Sequence, residues 1–129
     1  MRLRVFLPSQ TAADESADQV SAEAENGAFS LLPRHVDFVT ALVPGLMSFV
    51  RDGREAFLAV DGGILVKRGD DVLVSTSNAV RGDDLDRLHR TVEEEFQRMG
   101  ERERKARASL LRLEADFVRR FLELESRDT

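Results

Sequence analysis

Apolar and polar residues alternate with a period of two in the first part of the chain, which is typical of strands with one buried face. Every second position is apolar over residues 3–7, and Pro8 ends this run. A second alternating run covers residues 20–24. The polar segment between them, residues 10–19, is predicted to be a loop.

Two short turn sequences lie between apolar segments further along. Residues 46–50 and 55–60 flank Asp52-Gly53, which predicts a β-hairpin. The segments GILVK and DVLVS flank Arg-Gly-Asp at residues 68–70, which predicts a second hairpin. Residues 57–60 are all apolar, so their strand is expected to be buried on both faces. The pattern therefore predicts a β-sandwich or barrel with another element packed outside it.

Beyond Arg81 the apolar spacing becomes helical. The first predicted helix begins at an aspartate cluster and ends at Gly100, with an apolar stripe at Leu85, Leu88, Val92, Phe96 and Met99. A second helix, over residues 101–125, carries a stripe at Ala106, Leu110, Leu113, Phe117, Phe121 and Leu124, widened by Leu111, Val118 and Leu122. Gly100 permits an antiparallel hairpin whose stripes pack on each other and on the β-domain. We therefore expect a β-domain over residues 1–80 and a helical domain over residues 81–129.

Composition narrows the class of protein. A chain of 129 residues, 42% hydrophobic and 33% charged, can form one core plus a small appendage and is not expected to be disordered. Its apolar runs are too short to span a membrane, and its start does not resemble a secretory signal. Cysteine is absent, which excludes disulfides and thiolate chemistry. The net charge of −5, and eight Phe with no Trp or Tyr, argue against binding to nucleic acid.

The residues that carry chemistry do not assemble into a known catalytic or metal motif. No glycine-rich phosphate loop ends in Lys-Ser or Lys-Thr. His35 and His89 have no zinc-ligand spacing around them. Ser30, His35 and Asp37 are the residue types of a nucleophile triad, but no nucleophile elbow accompanies them. The acidic residues at 83–86 suit the positive end of a helix. No catalysis, cofactor or metal is therefore expected.

Charges in the second half are grouped by sign. Glutamates occupy residues 93–95, and a basic group follows at Arg102, Arg104, Lys105 and Arg107. One interpretation is a solvated helix face with intrahelical ion pairs. The other is a basic patch that binds an acidic partner. The pattern alone favours the solvated face.

Six short motifs follow one another between residues 20 and 124: Asn26-Gly27, Leu32-Pro33-Arg34-His35, Thr40-Ala41-Leu42, Pro44-Gly45, Asp61-Gly62-Gly63 and the segment 81–86. In this order they resemble the epsilon subunit of bacterial F-type ATP synthases. In the family pattern the Pro-Gly and Gly-Gly motifs are turns. The resemblance implies a flattened β-sandwich followed by an antiparallel α-helical hairpin.

The resemblance also implies a function. In that family the sandwich lies at the foot of the central stalk, bound to the gamma subunit and to the membrane c-ring. The chain would be a noncatalytic subunit that couples ion transport to ATP synthesis or hydrolysis, peripheral at the cytoplasmic face of the cell membrane. Pro33, Arg34 and His35 would form a stiff contact loop with Asn26 and Gly27 beside it. The alternative for His35 is a loop histidine bonded to nearby backbone.

The helices resemble the regulatory arm of the family, which in some members extends toward the alpha and beta subunits. By this resemblance, inhibition of ATP hydrolysis is a further function open to the chain. By this resemblance Arg102, Arg104, Lys105 and Arg107 would contact acidic segments of beta. Members that bind ATP carry arginine and alanine where this chain has His89 and Arg90, after Asp86. A mostly neutral imidazole does not supply the permanent charge and donor fork of arginine, so ATP binding at these residues is not expected. The alternative functions are a stand-alone β-sandwich adaptor, whose hairpin binds an unrelated protein, and a small-molecule sensor.

Overall fold

The structure, a computed structural model, describes residues 1–97 and 101–127 of the 129. Eight strands come first: β1 (Arg2–Phe6), β2 (Thr11–Ser16), β3 (Gln19–Ala24), β4 (Gly27–Leu31), β5 (Phe38–Arg51), β6 (Arg54–Arg68), β7 (Asp71–Ser75) and β8 (Ala79–Gly82). Then follow α1 (Leu85–Thr91), a π-helical segment (Val92–Phe96) and α2 (Glu101–Arg127). In the part of the chain that the structure describes, no helix is long and apolar enough to cross a membrane.

The strands are hydrogen-bonded in the order β2-β1-β7-β6-β5-β3-β4, with β8 beside β6. Every pair is antiparallel except β1 with β7. The outermost strands of this order, β2 and β4, contribute Ala13 and Leu31 to the same buried core. The sheet is therefore folded over into two layers that face each other. This confirms the predicted β-sandwich followed by two C-terminal helices.

The long hairpin of β5 and β6 belongs to both layers. One end of β6 pairs with β7 and the other with β8. Between these ends Pro44 pairs with Asp61, and Gly62 and Gly63 have φ of +73° and +129°. A Cβ atom on Gly63 would lie 2.0 Å from the carbonyl oxygen of Ser75. Glycine is therefore needed where β6 bends and approaches β7.

Two predicted turns are wrong, because Pro44-Gly45 and Asp61-Gly62-Gly63 lie inside β5 and β6. The ladder between β5 and β3 is irregular at this point, and the Glu23 carboxylate accepts a hydrogen bond from the Leu46 amide at 3.0 Å. A proline without an N–H group is tolerated at such an irregularity. The residues that suggest turns therefore produce a bend in a continuous hairpin.

The predicted loop over residues 10–19 is also wrong, because β2 occupies most of it. β2 pairs with β1 along its whole length, and the Arg2 guanidinium contacts the Asp14 carboxylate at 2.8 Å. Its buried side chain is Ala13, which is too small to give a clear apolar alternation. An edge strand of this kind is held by backbone hydrogen bonds and surface charge rather than by large apolar residues.

Both predicted hairpin turns are confirmed. Asp52 and Gly53 connect β5 to β6 and both have positive φ, +52° and +77°, as a type I′ turn requires. Gly69, with φ of +56°, lies in the turn between β6 and β7. The expectation that residues 57–60 are buried on both faces also holds: Leu58 lies in the sandwich core, whereas Ala59 packs against the helical segments.

α1 begins after Asp84, whose carboxylate accepts hydrogen bonds from the amides of Asp86 and Arg87 at 3.1 and 3.3 Å. This confirms the predicted start of the helix. Three members of its predicted stripe cover Ala59: Leu88, Val92 and Phe96. Leu85 is exposed, so its predicted packing is wrong, and Met99 and Gly100 lie outside the described residues.

α2 packs on β5 and β6 through the residues predicted to widen its apolar stripe, together with Ala115, and not through the stripe itself. Ala115 is buried, and Leu111, Val118 and Leu122 are half-buried. The predicted stripe is exposed at Ala106, Leu110, Leu113, Phe117, Phe121 and Leu124. Small residues on the inner face let the helix approach the sheet, and arginines that bond to the strands fix its rotation. Helical spacing identifies an apolar face but not the surface that covers it.

Candidate partner-binding surfaces

The loop between β4 and β5, residues 32–37, carries the Leu-Pro-x-His motif. A hydrogen bond from the His35 amide to the Leu32 carbonyl, 2.9 Å, closes a turn around Pro33 and Arg34. Leu32 and Val36 are 56% and 75% exposed, and Pro33, Arg34 and His35 are exposed between them. The loop therefore presents two apolar side chains and one permanent cation on a closed turn.

His35 is held by its own loop. Its Nδ1 donates to the Val36 carbonyl at 2.8 Å, and its ring contacts the edge of Phe38 with centroids 5.8 Å apart. Within the chain, His35 is therefore a loop histidine bonded to nearby backbone, as the alternative predicted. In the neutral imidazole this bond places the proton on Nδ1, which makes Nε2 a hydrogen-bond acceptor. A contact between His35 and a partner stays a prediction.

The same loop is tied to the turn between β6 and β7. The Asp37 carboxylate accepts a hydrogen bond from the Gly69 amide at 2.9 Å. The Lys67 ammonium group donates to the His35 carbonyl at 3.0 Å and to the Gly69 carbonyl. Sequence reasoning missed Lys67, because a lysine inside an apolar strand resembles an outward-facing residue. The strand alternation, which places Lys67 on the same face as the buried Leu65, could have indicated that it is buried.

Asn26 and Gly27 lie at the other end of β4 from the loop. Asn26 is in the turn between β3 and β4, and Gly27 has φ of +123°. Asn26 lines a surface cavity of about 350 Å³ together with Arg112 and Arg119 of α2. No hydrogen bond or ring contact joins this turn to residues 32–37 in the described part of the chain. Asn26 and Gly27 were predicted to lie beside the loop, and no such contact between them and the loop, within the described residues, supports that prediction.

The four basic residues predicted to bind beta differ in position. Arg102, Arg104 and Lys105 are exposed. Arg107 points into the domain and donates to the Asp61 carboxylate at 3.0 Å and to the Ser77 hydroxyl at 3.1 Å. It also donates to the Asp61 backbone carbonyl. Arg107 is therefore an internal anchor of α2 in this conformation.

Further contacts fasten α2 along its length. Arg119 donates to the Val39 carbonyl at 2.6 Å, and Arg112 forms an ion pair with Glu25 at 3.3 Å. Arg68 of β6 forms an ion pair with Glu125 at 3.0 Å. Together with Arg107, these contacts connect four places on α2 to the sandwich, whereas the large apolar side chains of the predicted stripe face away.

The residues considered for nucleotide binding, Asp86, His89 and Arg90, are all exposed on α1. None of the three lines the neighbouring cavity of about 430 Å³, whose charged lining is mixed: Asp83, Asp84 and Glu95 with Arg81 and Arg87. The structure therefore does not bring Asp86, His89 and Arg90 together around a cavity. Within the described residues, no group of three or more His, Asp or Glu side chains is placed to hold a metal ion.

Comparison with known proteins identifies the family. Residues 1–82 match the family described as ATP synthase, Delta/Epsilon chain, beta-sandwich domain. The ATP synthase epsilon chain 2 of Cereibacter sphaeroides is 34% identical over 122 residues, which cover 92% of this chain and 84% of the relative. The ATP synthase epsilon chain of Carboxydothermus hydrogenoformans is 31% identical over 104 residues, 79% of this chain and 78% of the relative.

Two solved structures share the fold at low sequence identity. A chain of the Euglena gracilis mitochondrial ATP synthase, described as OSCP/F1/c-ring in rotational state 1, has a TM-score of 0.60 and 19% identity over 88% of this chain and 71% of its own. A chain of the Tetrahymena thermophila mitochondrial ATP synthase central stalk/c-ring has a TM-score of 0.52 and 9% identity over 61% and 64%. With its sandwich matched in full and its relatives aligned over most of their length, this chain belongs to the ATP synthase epsilon chain family of noncatalytic subunits.

Proposed function

We propose that this chain is a central-stalk subunit that joins the gamma subunit to the c-ring, and so couples ion transport to ATP synthesis or hydrolysis. The observation that carries the proposal is the closed loop over residues 32–37, with Leu32 and Val36 exposed on it. The epsilon relatives and the stalk and c-ring context of the structural neighbours support it. Attachment through these partners would place the chain peripherally at the cytoplasmic face of the cell membrane.

The loop has the chemistry of a protein-binding surface. Two exposed apolar side chains, Leu32 and Val36, gain free energy when a partner removes them from water. Arg34 between them can pair with carboxylates or backbone carbonyls, and Pro33 restricts the backbone before binding. A loop that is already ordered loses little conformational entropy on docking. These properties suit a contact that has to transmit torque.

Co-expression with the gamma subunit and c-ring of the same organism tests the proposal. The wild-type chain should copurify with them, and Arg34→Glu should weaken binding about tenfold because it replaces the loop's permanent cation with an anion. Arg54→Glu is the matched control, since Arg54 is also exposed but begins β6, next to the Asp52-Gly53 turn. A wild-type chain that ignores gamma and the c-ring would contradict the proposal and favour the adaptor.

We further propose that residues 81–129 form a regulatory domain whose second helix can leave the sandwich. Arg107 cannot reach a beta subunit while it is bonded to Asp61, so contact with beta requires these hydrogen bonds to break. Arg102 and Arg104 are already exposed in the docked conformation. The exposed apolar stripe of α2 would then gain a partner in the assembled enzyme. A free-energy difference of a few kcal/mol between the two positions would permit regulation.

The regulatory proposal is tested by ATP hydrolysis in the assembled enzyme. Asp61→Asn weakens the anchor and should favour the released arm, so hydrolysis should fall if the released arm inhibits. Reversing the charge of Arg102 and Arg104 in the same background should restore hydrolysis. Unchanged hydrolysis in Asp61→Asn, with binding to gamma intact, would contradict inhibition by the arm while leaving the structural role in place.

A further inference from the structure

Lys67 is the only charged side chain that is buried in the part of the chain that the structure describes, at 1% exposure. It lies in β6 between Phe38 on β5 and Val72 on β7. Removing an ammonium ion from water costs several kcal/mol unless hydrogen bonds compensate. An apolar residue would fill this position in the strand at lower cost. The lysine therefore needs an explanation other than packing.

The hydrogen bonds of Lys67 supply that explanation. Its Nζ donates to two backbone carbonyls, one from His35 in the exposed loop and one from Gly69 in the turn between β6 and β7. The Gly69 amide in turn donates to the Asp37 carboxylate at 2.9 Å. One buried cation and one carboxylate thus connect two segments that are more than 30 positions apart in the sequence.

These bonds determine how the loop is presented. They hold the His35 backbone and the Asp37 side chain, on either side of Val36, against the sandwich. Arg34 and Val36, which flank His35, remain exposed. A loop without this brace would sample more backbone conformations and would lose more entropy on binding a partner.

We infer that Lys67 is a positioning residue for partner docking: through the His35 and Gly69 carbonyls it holds residues 32–37 in the conformation that binds the rotor. Lys67 does not itself touch the partner, because it is buried beneath the loop. The inference deepens the proposed function and rests on it. It assigns a role to a residue outside the family motifs of the sequence.

Lys67→Met tests the inference, because methionine has a similar length and no hydrogen-bond donor. The amides of His35 and Gly69 should exchange with solvent at least tenfold faster, and binding to a gamma–c-ring subcomplex should weaken about tenfold, as expected for the loss of hydrogen bonds from a charged group. Arg68→Met is the matched control: it removes the neighbouring cation, which is exposed and pairs with Glu125. The control should leave loop exchange and binding unchanged.

A double-mutant cycle separates positioning from general destabilisation. If Lys67 acts through the loop, Lys67→Met should cost much less binding in a Val36→Ala background than in the wild type. Full additivity would overturn the inference, and so would unchanged binding by folded Lys67→Met. If Lys67→Met does not fold, Asp37→Ala provides the test. This substitution removes the hydrogen bond between the Asp37 carboxylate and the Gly69 amide, and Asp37 is exposed. Unchanged loop exchange and binding in that variant would overturn the inference.

Failure of the wild-type chain to bind the subcomplex is a different result. It would contradict the proposed function itself, and the docking role of Lys67 with it. Binding by the wild type together with equal binding by Lys67→Met would leave the proposed function intact and remove only the role of Lys67.

Discussion

Arg107 on α2 and Asp61 on β6 form a connection of several hydrogen bonds between the helix and the sandwich. Their side chains meet at 3.0 Å with both partly buried, and Ser77 contacts both, donating to the Asp61 carboxylate at 3.0 Å. Asp61 lies at the bend of the long hairpin, opposite Pro44. The helix is thus anchored where the two layers of the sandwich join.

Arg107→Ala should lower the free energy of unfolding by about 1–2 kcal/mol, because it removes hydrogen bonds to a partly buried carboxylate. Amide exchange should rise along α2 but not along β1, β7 or β3. Chemical denaturation and hydrogen-exchange measurements on the same sample provide both values. Arg112→Ala is the control: its pair with Glu25 is half exposed on both sides and should contribute about 0.5 kcal/mol or less. Equal effects of the two substitutions would contradict the anchoring role.

Phe117→Ser should leave the stability of the isolated chain unchanged within about 0.5 kcal/mol, because the side chain is 73% exposed. Ala115, two positions earlier, is only 2% exposed, so the opposite result is expected there. Ala115→Leu should destabilise the fold by about 1–3 kcal/mol through overpacking against β5. Thermal or urea unfolding distinguishes the two faces. A large loss of stability in Phe117→Ser would mean that the stripe packs internally.

Gly63→Ala should destabilise the fold by about 3 kcal/mol or more. The new Cβ atom would meet the Ser75 carbonyl at 2.0 Å, and the residue would keep an unfavourable positive φ. Gly53→Ala has the positive φ but open space around the new atom, so about 1–2 kcal/mol is expected. The difference in urea midpoints at equal m-values measures the steric part. Equal midpoints would show that β6 can move away from β7.

Asp14 should titrate at lower pH than an ordinary aspartate. The Arg2 guanidinium hydrogen-bonds this carboxylate and lowers its pKa, and the nearby positive charge acts in the same direction. A carboxyl group whose pKa is lower in the folded state stabilises the fold above the unfolded-state pKa, and this contribution is lost as the pH falls through the folded-state value. Carboxyl chemical shifts followed by NMR should return to the ordinary range in Arg2→Gln. An unchanged titration in that variant would contradict the assigned cause.

Local sequence rules predicted the parts of the fold that depend on local chemistry. Asp52-Gly53 can adopt two successive positive φ values, so these two residues were sufficient to predict the hairpin. Asp84 precedes the first helix and caps it through its own carboxylate. The all-apolar segment around Ala59 predicted a strand that is covered on both faces. For the turn and the helix cap, the determining interaction lies within a few residues.

The features that were missed depend on distant residues. β2 is a strand because β1 and Arg2 lie beside it, which nothing in its own polar sequence indicates. The inner face of α2 is selected by contacts with Asp61 and Val39, which are 46 and 80 positions away. Lys67 is buried beneath the loop that contains His35, which is 32 positions away. Periodicity describes a single element, whereas these properties belong to pairs of elements.

The uncovered stripe on α2 has a consequence for the life of the protein before assembly. A newly synthesised copy exposes an apolar surface of five large side chains, 57% to 73% exposed: Leu110, Leu113, Phe117, Phe121 and Leu124. Chaperones and quality-control proteases recognise such exposed apolar surfaces, and two unassembled copies would associate through them. A cell that makes this chain in excess of its assembly partners would therefore degrade the surplus, so that its abundance follows theirs.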